Sequence, residues 1–216
     1  MRDWSEKEDQ KKKIIDKETL NENFLKLSYD EDLNKDKIKN FFKNDIEIEA
    51  ENIDKLIRKK IEKFELKPDI NINILEELFL HADLNYTSPN NNDSNLIMNC
   101  CEKAEPVLIN LFLNEKFHKR KKKLIEIDLF KVDKNNSNIL HYLFSQPLET
   151  DIDINFEKIM NYYQTREKKS KMKLDSLKKE DKNGMTPLSI LLKKGWYNTL
   201  VKYFKYFDYE PHIIFG

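Results

Sequence analysis

The sequence contains an internal repeat, and this feature constrains the fold more than any other. Residues 181–192 (DKNGMTPLSILL) align without a gap with residues 133–144 (DKNNSNILHYLF), which lie 48 positions earlier. A weaker copy occupies residues 90–101, a further 43 positions earlier. A sequence that repeats at such a period predicts small structural units that stack, because one unit alone cannot bury its apolar face.

Each copy predicts a turn, a capped helix and a second helix. Asn136 and Gly184 occupy the same turn position, and both residue types tolerate a positive φ. The Thr or Asn that follows can cap a helix, and Pro187 stands just inside the last helix, where its missing amide hydrogen costs nothing. After a break, each copy continues with apolar residues at helical spacing. These second stripes comprise Val107, Leu108, Leu111 and Phe112, then Phe156, Ile159, Met160 and Tyr163, and finally Leu200, Val201, Tyr203, Phe204 and Phe207.

This arrangement resembles the ankyrin repeat family. In that family a turn ending in Asp-x-x-Gly-x-Thr-Pro-Leu-His precedes two antiparallel helices and an exit loop such as Gly-Ala-Asp-x-Asn. The matching turn residues are Asp181, Gly184, Thr186, Pro187 and Leu188 in the last copy, and Asp133, Leu140 and His141 in the middle copy. Residues 81–85 (HADLN) match the exit loop, and residues 127–133 match it more loosely.

The resemblance implies an all-α fold, an ankyrin-like solenoid of stacked helix-turn-helix repeats with long inserts, over about residues 50–207. We expect repeats at about residues 50–89, 90–132, 133–180 and 181–216, and a charged N-terminal helical extension or cap at 1–49. The family unit has roughly 33 residues, so inserts are expected at 115–126, 146–154 and 165–180. The resemblance also implies a structural hydrogen bond from His141 to an adjacent turn.

The two ends of the sequence have several interpretations. Apolar positions around residues 33–42 predict a short helix, and the N-terminal segment could cap the array, dock into a larger assembly or continue upstream repeats. Residues 50–64 predict the first helix of the first repeat. Its apolar positions are Ile53, Leu56, Ile57, Ile61 and Phe64. The apolar segment 206–216 should pack either on the last repeat or on a partner.

The function that the resemblance implies is recognition of another protein. Stacked helix pairs present an elongated surface, in which the turn tips and the outer faces of the first helices are available for contact. By analogy with the family, the candidate partner-binding residues are Lys134, Asn135, Ser137, Tyr142, Lys182, Asn183, Met185, Lys193 and Trp196. We expect a protein–protein interaction scaffold or a non-catalytic structural subunit of a larger assembly. The alternative is a cytoplasmic regulatory ankyrin segment of a larger polypeptide, such as an ion channel or an enzyme.

Composition argues against several other classes. Three glycines exclude a glycine-rich phosphate loop, and a formal net charge of zero is not typical of a nucleic-acid binder. The histidines and cysteines have no metal-ligand spacing, so we expect no catalytic activity, cofactor, metal or small-molecule substrate. The sequence has no run long enough for a membrane-spanning helix. Because Cys100 and Cys101 are adjacent, a reducing, cytoplasmic location fits best, with a nuclear or cytoskeleton-associated one also open.

A basic run at residues 119–123 (KRKKK) has two interpretations. It could be a nuclear-import or nucleic-acid patch. Alternatively, its cations complement the dipole at the C-terminus of a helix. We favour the helix end, because no aromatic residues for base stacking alternate with the lysines.

Overall fold

The structure is a computed structural model, and it describes residues 17–30, 32–43, 48–64, 68–114, 119–120, 123–124, 127–147, 149–166 and 171–208. These residues are mostly helical, as the sequence predicts, with two short two-stranded sheets. The chain divides into two compact units, Met1–Asp83 and Leu84–Gly216. The predicted boundary after residue 49 lies within the first unit, and the predicted repeat 50–89 extends from the first unit into the second.

The described part of the first unit is a set of helices around an apolar core. Helix α1 covers residues 17–26 and leads into a 3₁₀ turn, Leu27–Tyr29. It is followed by α2 (Lys35–Phe42), α3 (Ala50–Glu62) and α4 (Pro68–His81). Helix α4 packs against both α2 and α3. All five apolar residues predicted for residues 50–64 are buried, and Phe24 packs edge-to-face on Phe41 with ring centroids 5.2 Å apart.

The described helices of the second unit form three consecutive pairs. The pairs are α5 (Leu96–Lys103) with α6 (Pro106–Phe112), α7 (Ile139–Phe144) with α8 (Glu149–Arg166), and α10 (Pro187–Lys194) with α11 (Tyr197–Tyr206). A short helix, α9 (Lys171–Ser176), lies between the second and third pairs. Each pair therefore begins where the sequence repeat predicts a helix.

The three pairs stack in chain order. The first helices pack α5 on α7 and α7 on α10, and the second helices pack α6 on α8 and α8 on α11. Phe144 of α7 shows how the core is built, since its ring lies 5.4 Å from Phe156 of α8 and 6.1 Å from Tyr203 of α11. Edge-to-face contacts between aromatic rings thus hold the two helices of one pair together and also hold that pair against the next pair.

The turns have the predicted backbone. Asp93, Asn136 and Gly184 occupy one repeat position and adopt φ values of 56°, 59° and 73°. The predicted capping residues act as such in each copy. Asn95 accepts from the N–H of Met98, Asn138 from those of Leu140 and His141, and Thr186 from that of Ser189. The predictions of a positive φ at these turns and of a capped helix after each one are confirmed.

Two predicted inserts contain regular structure. Helix α8 begins at Glu149, so most of the expected insert 146–154 is helical. This early start has a structural reason: the Glu149 carboxylate accepts the N–H groups of Asn198 and Thr199 at 3.1 and 3.5 Å, and so anchors the start of α11. Helix α9 lies within the expected insert 165–180.

The preferred interpretation placed the basic run at the end of a helix, whereas its described residues lie in strands. Helix α6 ends at Phe112, well before the run. Lys119–Arg120 and Lys123–Leu124 instead form an antiparallel strand pair, with Lys119 opposite Leu124 and Arg120 opposite Lys123. The other sheet pairs Thr87–Ser88 with Ser94–Asn95 around the first turn.

Candidate partner-binding surface

Hydrogen bonds join the successive turns of the second unit into a ladder. The N–H of Lys134 donates to the Asn92 carbonyl, and the N–H of Lys182 donates to the Asn135 carbonyl, both at 2.8 Å. The two bonds are equivalent, because Lys134 and Lys182 share one repeat position and Asn92 and Asn135 share another. The ladder fixes the spacing of the turn tips, which therefore form one surface.

An aspartate organises each of the last two turns. Asp133 Oδ1 accepts from the N–H groups of Asn135 and Ser137, at 2.8 and 2.7 Å. Asp181 Oδ1 accepts in the same way from Asn183 and Met185, at 2.7 and 3.0 Å. These hydrogen bonds hold each turn in its backbone conformation.

His141 links the middle pair to the next turn. Its Nδ1 accepts the N–H of Asn138 at 3.1 Å, so the proton lies on Nε2, which donates to the Met185 carbonyl at 2.9 Å. Burial lowers the pKa of His141, and the bond to Met185 and the nearby Asp181 and Asp133 offset this only partly. The neutral ring thus supports the structure, and the hydrogen bond to an adjacent turn that the resemblance implied is confirmed.

A cleft of about 250 Å³ opens beside this histidine. It lies between α5, α7, α10 and the last turn, entirely within the second unit. Its lining residues are Glu102, Ser137, His141, Tyr142, Ser145, Gln146, Asp181 and Ile190. Tyr142 donates its hydroxyl to Asp133 Oδ2 at 2.9 Å, which fixes the ring at the side of the cleft.

Most of the sequence-predicted partner residues lie on this side of the second unit, at or beside the turns. Lys134, Asn135, Lys182, Asn183 and Lys193 are exposed, and Ser137, Tyr142 and Met185 are half-buried. Ser137 and Tyr142 also line the cleft. Trp196 differs, since only 8% of it is exposed and the Lys194 ammonium lies 4.4 Å from its ring centroid. It packs as part of the core, so we leave it out of the candidate surface.

Several lining residues were missed by the sequence reasoning, although the repeat contained a signal for them. Ile190 stands 48 positions after Tyr142, at the same repeat position. Ser145 stands 48 positions before Lys193, and Glu102 a further 43 before that. If the equivalents of Tyr142 and Lys193 in all three copies had been chosen as candidates, the sequence would have predicted Ile190, Ser145 and Glu102 as well.

Charge is distributed unevenly over the candidate surface. The turn tips carry the exposed Lys134 and Lys182, whereas the cleft contains the carboxylates of Glu102 and Asp181. Partial burial raises the pKa of Asp181, but the N–H groups of Met185 and Asn183 and the nearby His141 more than offset it, and the net pKa is lowered. Asp181 is therefore an anion in the neutral pH range.

Within the described ranges, His, Cys, Asp and Glu residues do not form a group of three that could hold a metal ion. Cys100 and Cys101 are buried thiols, and burial raises the pKa of Cys101 well above its ordinary value, which keeps it protonated and unreactive. The histidine beside the cleft uses both of its ring nitrogens in structural bonds.

Neither the protein-family models, nor the curated proteins, nor the solved structures gave a match to the chain. Of the helices in the described part of the chain, none combines the length and the apolar character needed to cross a membrane.

Proposed function

We propose that this protein is an ankyrin-like, non-catalytic scaffold that binds another protein through its turn tips and the outer faces of α7 and α10. The observation that supports this most directly is the ladder between turns. It sets exposed side chains at a fixed spacing along one side of stacked helix pairs, as a recognition surface requires. The cleft beside Tyr142 adds a concave feature to that surface.

The polar groups at the turns support a role in binding over a role in catalysis. The Asp133 carboxylate and both His141 nitrogens are occupied by internal hydrogen bonds. The exposed groups are mainly lysine and asparagine side chains at the tips, namely Lys134, Asn135, Lys182 and Asn183. Some of these side chains are themselves held in place, since the Lys134 ammonium donates to the Pro89 carbonyl at 3.1 Å. Exposed side chains on such a rigid base can recognise a partner at low entropic cost.

Crosslinking with a lysine-reactive reagent, followed by mass spectrometry, tests the proposed face. We expect the links to a partner from cell extract to concentrate at Lys134, Lys182 and Lys193. Lys202 and Lys205 lie on the second helix α11 and serve as internal references. Links confined to the second helices would refute the proposed surface.

A matched pair of variants extends this test. Lys182→Glu reverses a charge at an exposed turn tip but retains the backbone N–H that bonds to Asn135. Lys205→Glu makes the same change on the exposed side of α11. We expect the first variant to weaken binding of the crosslinked partner at least about tenfold, or about 1.4 kcal/mol, and the second to leave it unchanged. Equal effects would argue against recognition by the turns.

A further inference from the structure

The cleft of the second unit is lined by two carboxylates, Glu102 of α5 and Asp181 of the last turn. The described residues that bond to these carboxylates do so through neutral groups. The side-chain amide of Asn99 donates to Glu102 Oε2 at 3.2 Å, and the N–H groups of Asn183 and Met185 donate to Asp181 Oδ1. These hydrogen bonds position the carboxylates but leave their charges uncompensated, so the cleft attracts a cation.

One oxygen of Asp181 lacks the donor that its counterpart in the middle copy has. Asp133 Oδ2 accepts the hydroxyl of Tyr142 at 2.9 Å. Ile190 stands 48 positions after Tyr142, at the same repeat position, and has no hydroxyl. Asp181 Oδ2 has instead a long bond of 3.4 Å from the Asn183 side chain. This oxygen can therefore accept from a ligand, and a cationic donor suits it best, because charge-assisted hydrogen bonds are roughly twice as strong as neutral ones.

The basic side chains of His141 and Lys194 lie near the cleft but do not occupy its carboxylates. Burial lowers the pKa of His141, and its two ring nitrogens bond to backbone groups, so the ring is neutral. The Lys194 ammonium donates to the carbonyls of Ser145 and Gln146. A cation that enters the cleft thus has access to both carboxylates.

The size and the walls of the cleft suit one long side chain. Its volume of about 250 Å³ lies below the roughly 300–1,000 Å³ that is typical of small-molecule pockets. Ile190 and the ring of Tyr142 line it together with the carboxylates. The methylene groups of a lysine or arginine can pack on such apolar surface while the charged end remains with the anions. The aromatic ring also attracts a cation that lies over its face.

We propose that the cleft binds a single lysine or arginine side chain of the protein partner, and that Glu102 and Asp181 recognise its charged end. This inference rests on the proposed scaffold function and names the chemistry that the partner presents. The exposed Lys134 and Lys182 at the turn tips would repel a run of basic residues. The recognised cation is therefore an isolated one, with neutral or acidic neighbours in the partner.

NMR titration of the full chain with amino-acid amides tests the cleft without a partner. The probes are Nα-acetyl-lysinamide and Nα-acetyl-argininamide, and the neutral Nα-acetyl-norleucinamide is the control. We expect both cationic probes to shift the resonances of Gln146 and Ile190 until they saturate. The norleucine probe should bind at least about tenfold more weakly, because it cannot donate a charged hydrogen bond. Equal binding of the neutral probe, or shifts only outside the cleft, would overturn the proposal.

Charge-removing variants locate the binding at the carboxylates. Glu102→Gln and Asp181→Asn each keep an acceptor oxygen and lose the charge, and asparagine is also the residue of the first copy at the second position, Asn90. Each variant should weaken the cationic probes about threefold, and the two together about tenfold, as is expected of partly exposed ion pairs. Glu102→Gln alone decides the question if Asp181→Asn disturbs the turn.

The matched control is Glu180→Gln, which removes the same charge from an exposed residue next to Asp181 in the chain. Glu180 is not among the residues that line the cleft. We expect it to leave the affinity for both cationic probes unchanged. A loss equal to that of Glu102→Gln would mean that general surface charge attracts the probes, and the cleft would then not be a site.

Further outcomes separate this inference from the proposed function. If Lys182→Glu weakens the crosslinked partner and Glu102→Gln does not, the turn tips recognise the partner without the cleft, and only this inference fails. If crosslinking captures no partner at the turns, the proposed function fails, whereas saturable binding of the lysine probe still supports a cation-binding cleft. Spermidine that binds much more tightly than either amide would assign the cleft to a free polyamine and overturn the proposal.

Discussion

The middle and last turn-helix segments share a sequence pattern but differ in surroundings, and the difference shows what a neighbouring pair contributes. Both turns are organised by an aspartate, both have a positive φ at the same position, and both lead into a capped helix. Leu140 and Phe144 in α7 are fully buried, whereas Leu188 is half-buried and Leu192 is 46% exposed in α10. At these two repeat positions, the apolar residue is core in the middle pair, which a following pair covers, and is partly exposed in the last pair.

The polar residues differ in the same way. Asn138 and His141 reach both backwards, to cap their own helix, and forwards, to the next turn. Thr186 and Ser189 only cap their own helix. The comparison therefore separates residues that stabilise their own helix pair from residues that connect one helix pair to the next.

The largest difference is expected for leucine truncation. Leu140→Ala removes a fully buried side chain and should lower the free energy of unfolding by about 2–5 kcal/mol. Leu192→Ala, in the less covered helix, should cost less than about 1.5 kcal/mol, because the side chain already contacts solvent. Chemical denaturation measures both. Similar losses for the two variants would remove the distinction between a covered and an uncovered pair.

Loss of the His141 side chain, which links one helix pair to the next turn, should produce the next largest decrease in the free energy of unfolding. His141→Ala leaves the buried N–H of Asn138 without its acceptor and breaks the link to Met185, at an expected cost of about 1–3 kcal/mol. Ser189→Ala removes a hydrogen bond only within its own cap and should cost about 0.5–1 kcal/mol.

The same histidine should make stability depend on pH. Its pKa in the folded protein is lowered by burial, so below about pH 6.5, the ordinary value for histidine, the unfolded chain binds the proton more readily. The contribution is complete above pH 6.5 and is lost as the pH falls towards the folded pKa, by up to about 1.4 kcal/mol per pH unit. The difference between wild type and His141→Ala in denaturation across pH 5–8 isolates this term from the other histidines. A constant difference would contradict the neutral, structural histidine.

A smaller effect is expected from the Asn138 side-chain amide, which connects one helix pair to the segment leading into the next. Asn138→Thr introduces the residue of the last copy, so it keeps the helix cap but removes the donor to the Leu177 carbonyl. We expect a loss of about 1 kcal/mol. The reverse change, Thr186→Asn, should be close to neutral, because the described residues place no following turn within its reach. Denaturation midpoints of the two variants test this asymmetry.

An effect of similar or smaller size is expected at the turn position itself, where the two copies are alike. Gly184→Ala should cost about 1 kcal/mol through its φ of 73° alone, since no heavy atom lies within 4 Å of the added methyl group. Asn136→Gly should be neutral or slightly stabilising at its φ of 59°. Thermal unfolding of the two variants checks this, and a large loss for Asn136→Gly would show that its side chain has a further role.

The local features of the second unit were predictable because they depend on residues close together in the sequence. A turn with a positive φ, a capping Asn or Thr and a proline in the first helical turn act over three or four residues, and each is visible in the sequence alone. The extent of α8 was not predictable in this way. Its first residue, Glu149, bonds to Asn198 and Thr199, nearly fifty residues further along the chain.

The candidate surface was only partly predictable for the same reason. The tips, such as Lys134 and Lys182, followed from the repeat, because a turn tip is exposed whatever its neighbours are. The cleft did not, since it forms only when Glu102, Tyr142 and Asp181 from three different copies come together. Trp196 was predicted as a contact, yet it is buried under the Lys194 side chain.

The positions of the turns, the capping residues and the apolar stripes can be read from the amino-acid sequence alone, because they depend on backbone preferences and on side-chain periodicity. Which stripes become core, which histidine nitrogen carries a proton and where a cleft opens depend on the packing of the folded chain. Those properties depend on how much of each side chain is buried by a neighbouring helix pair. This burial is set by packing between residues that are far apart in the chain.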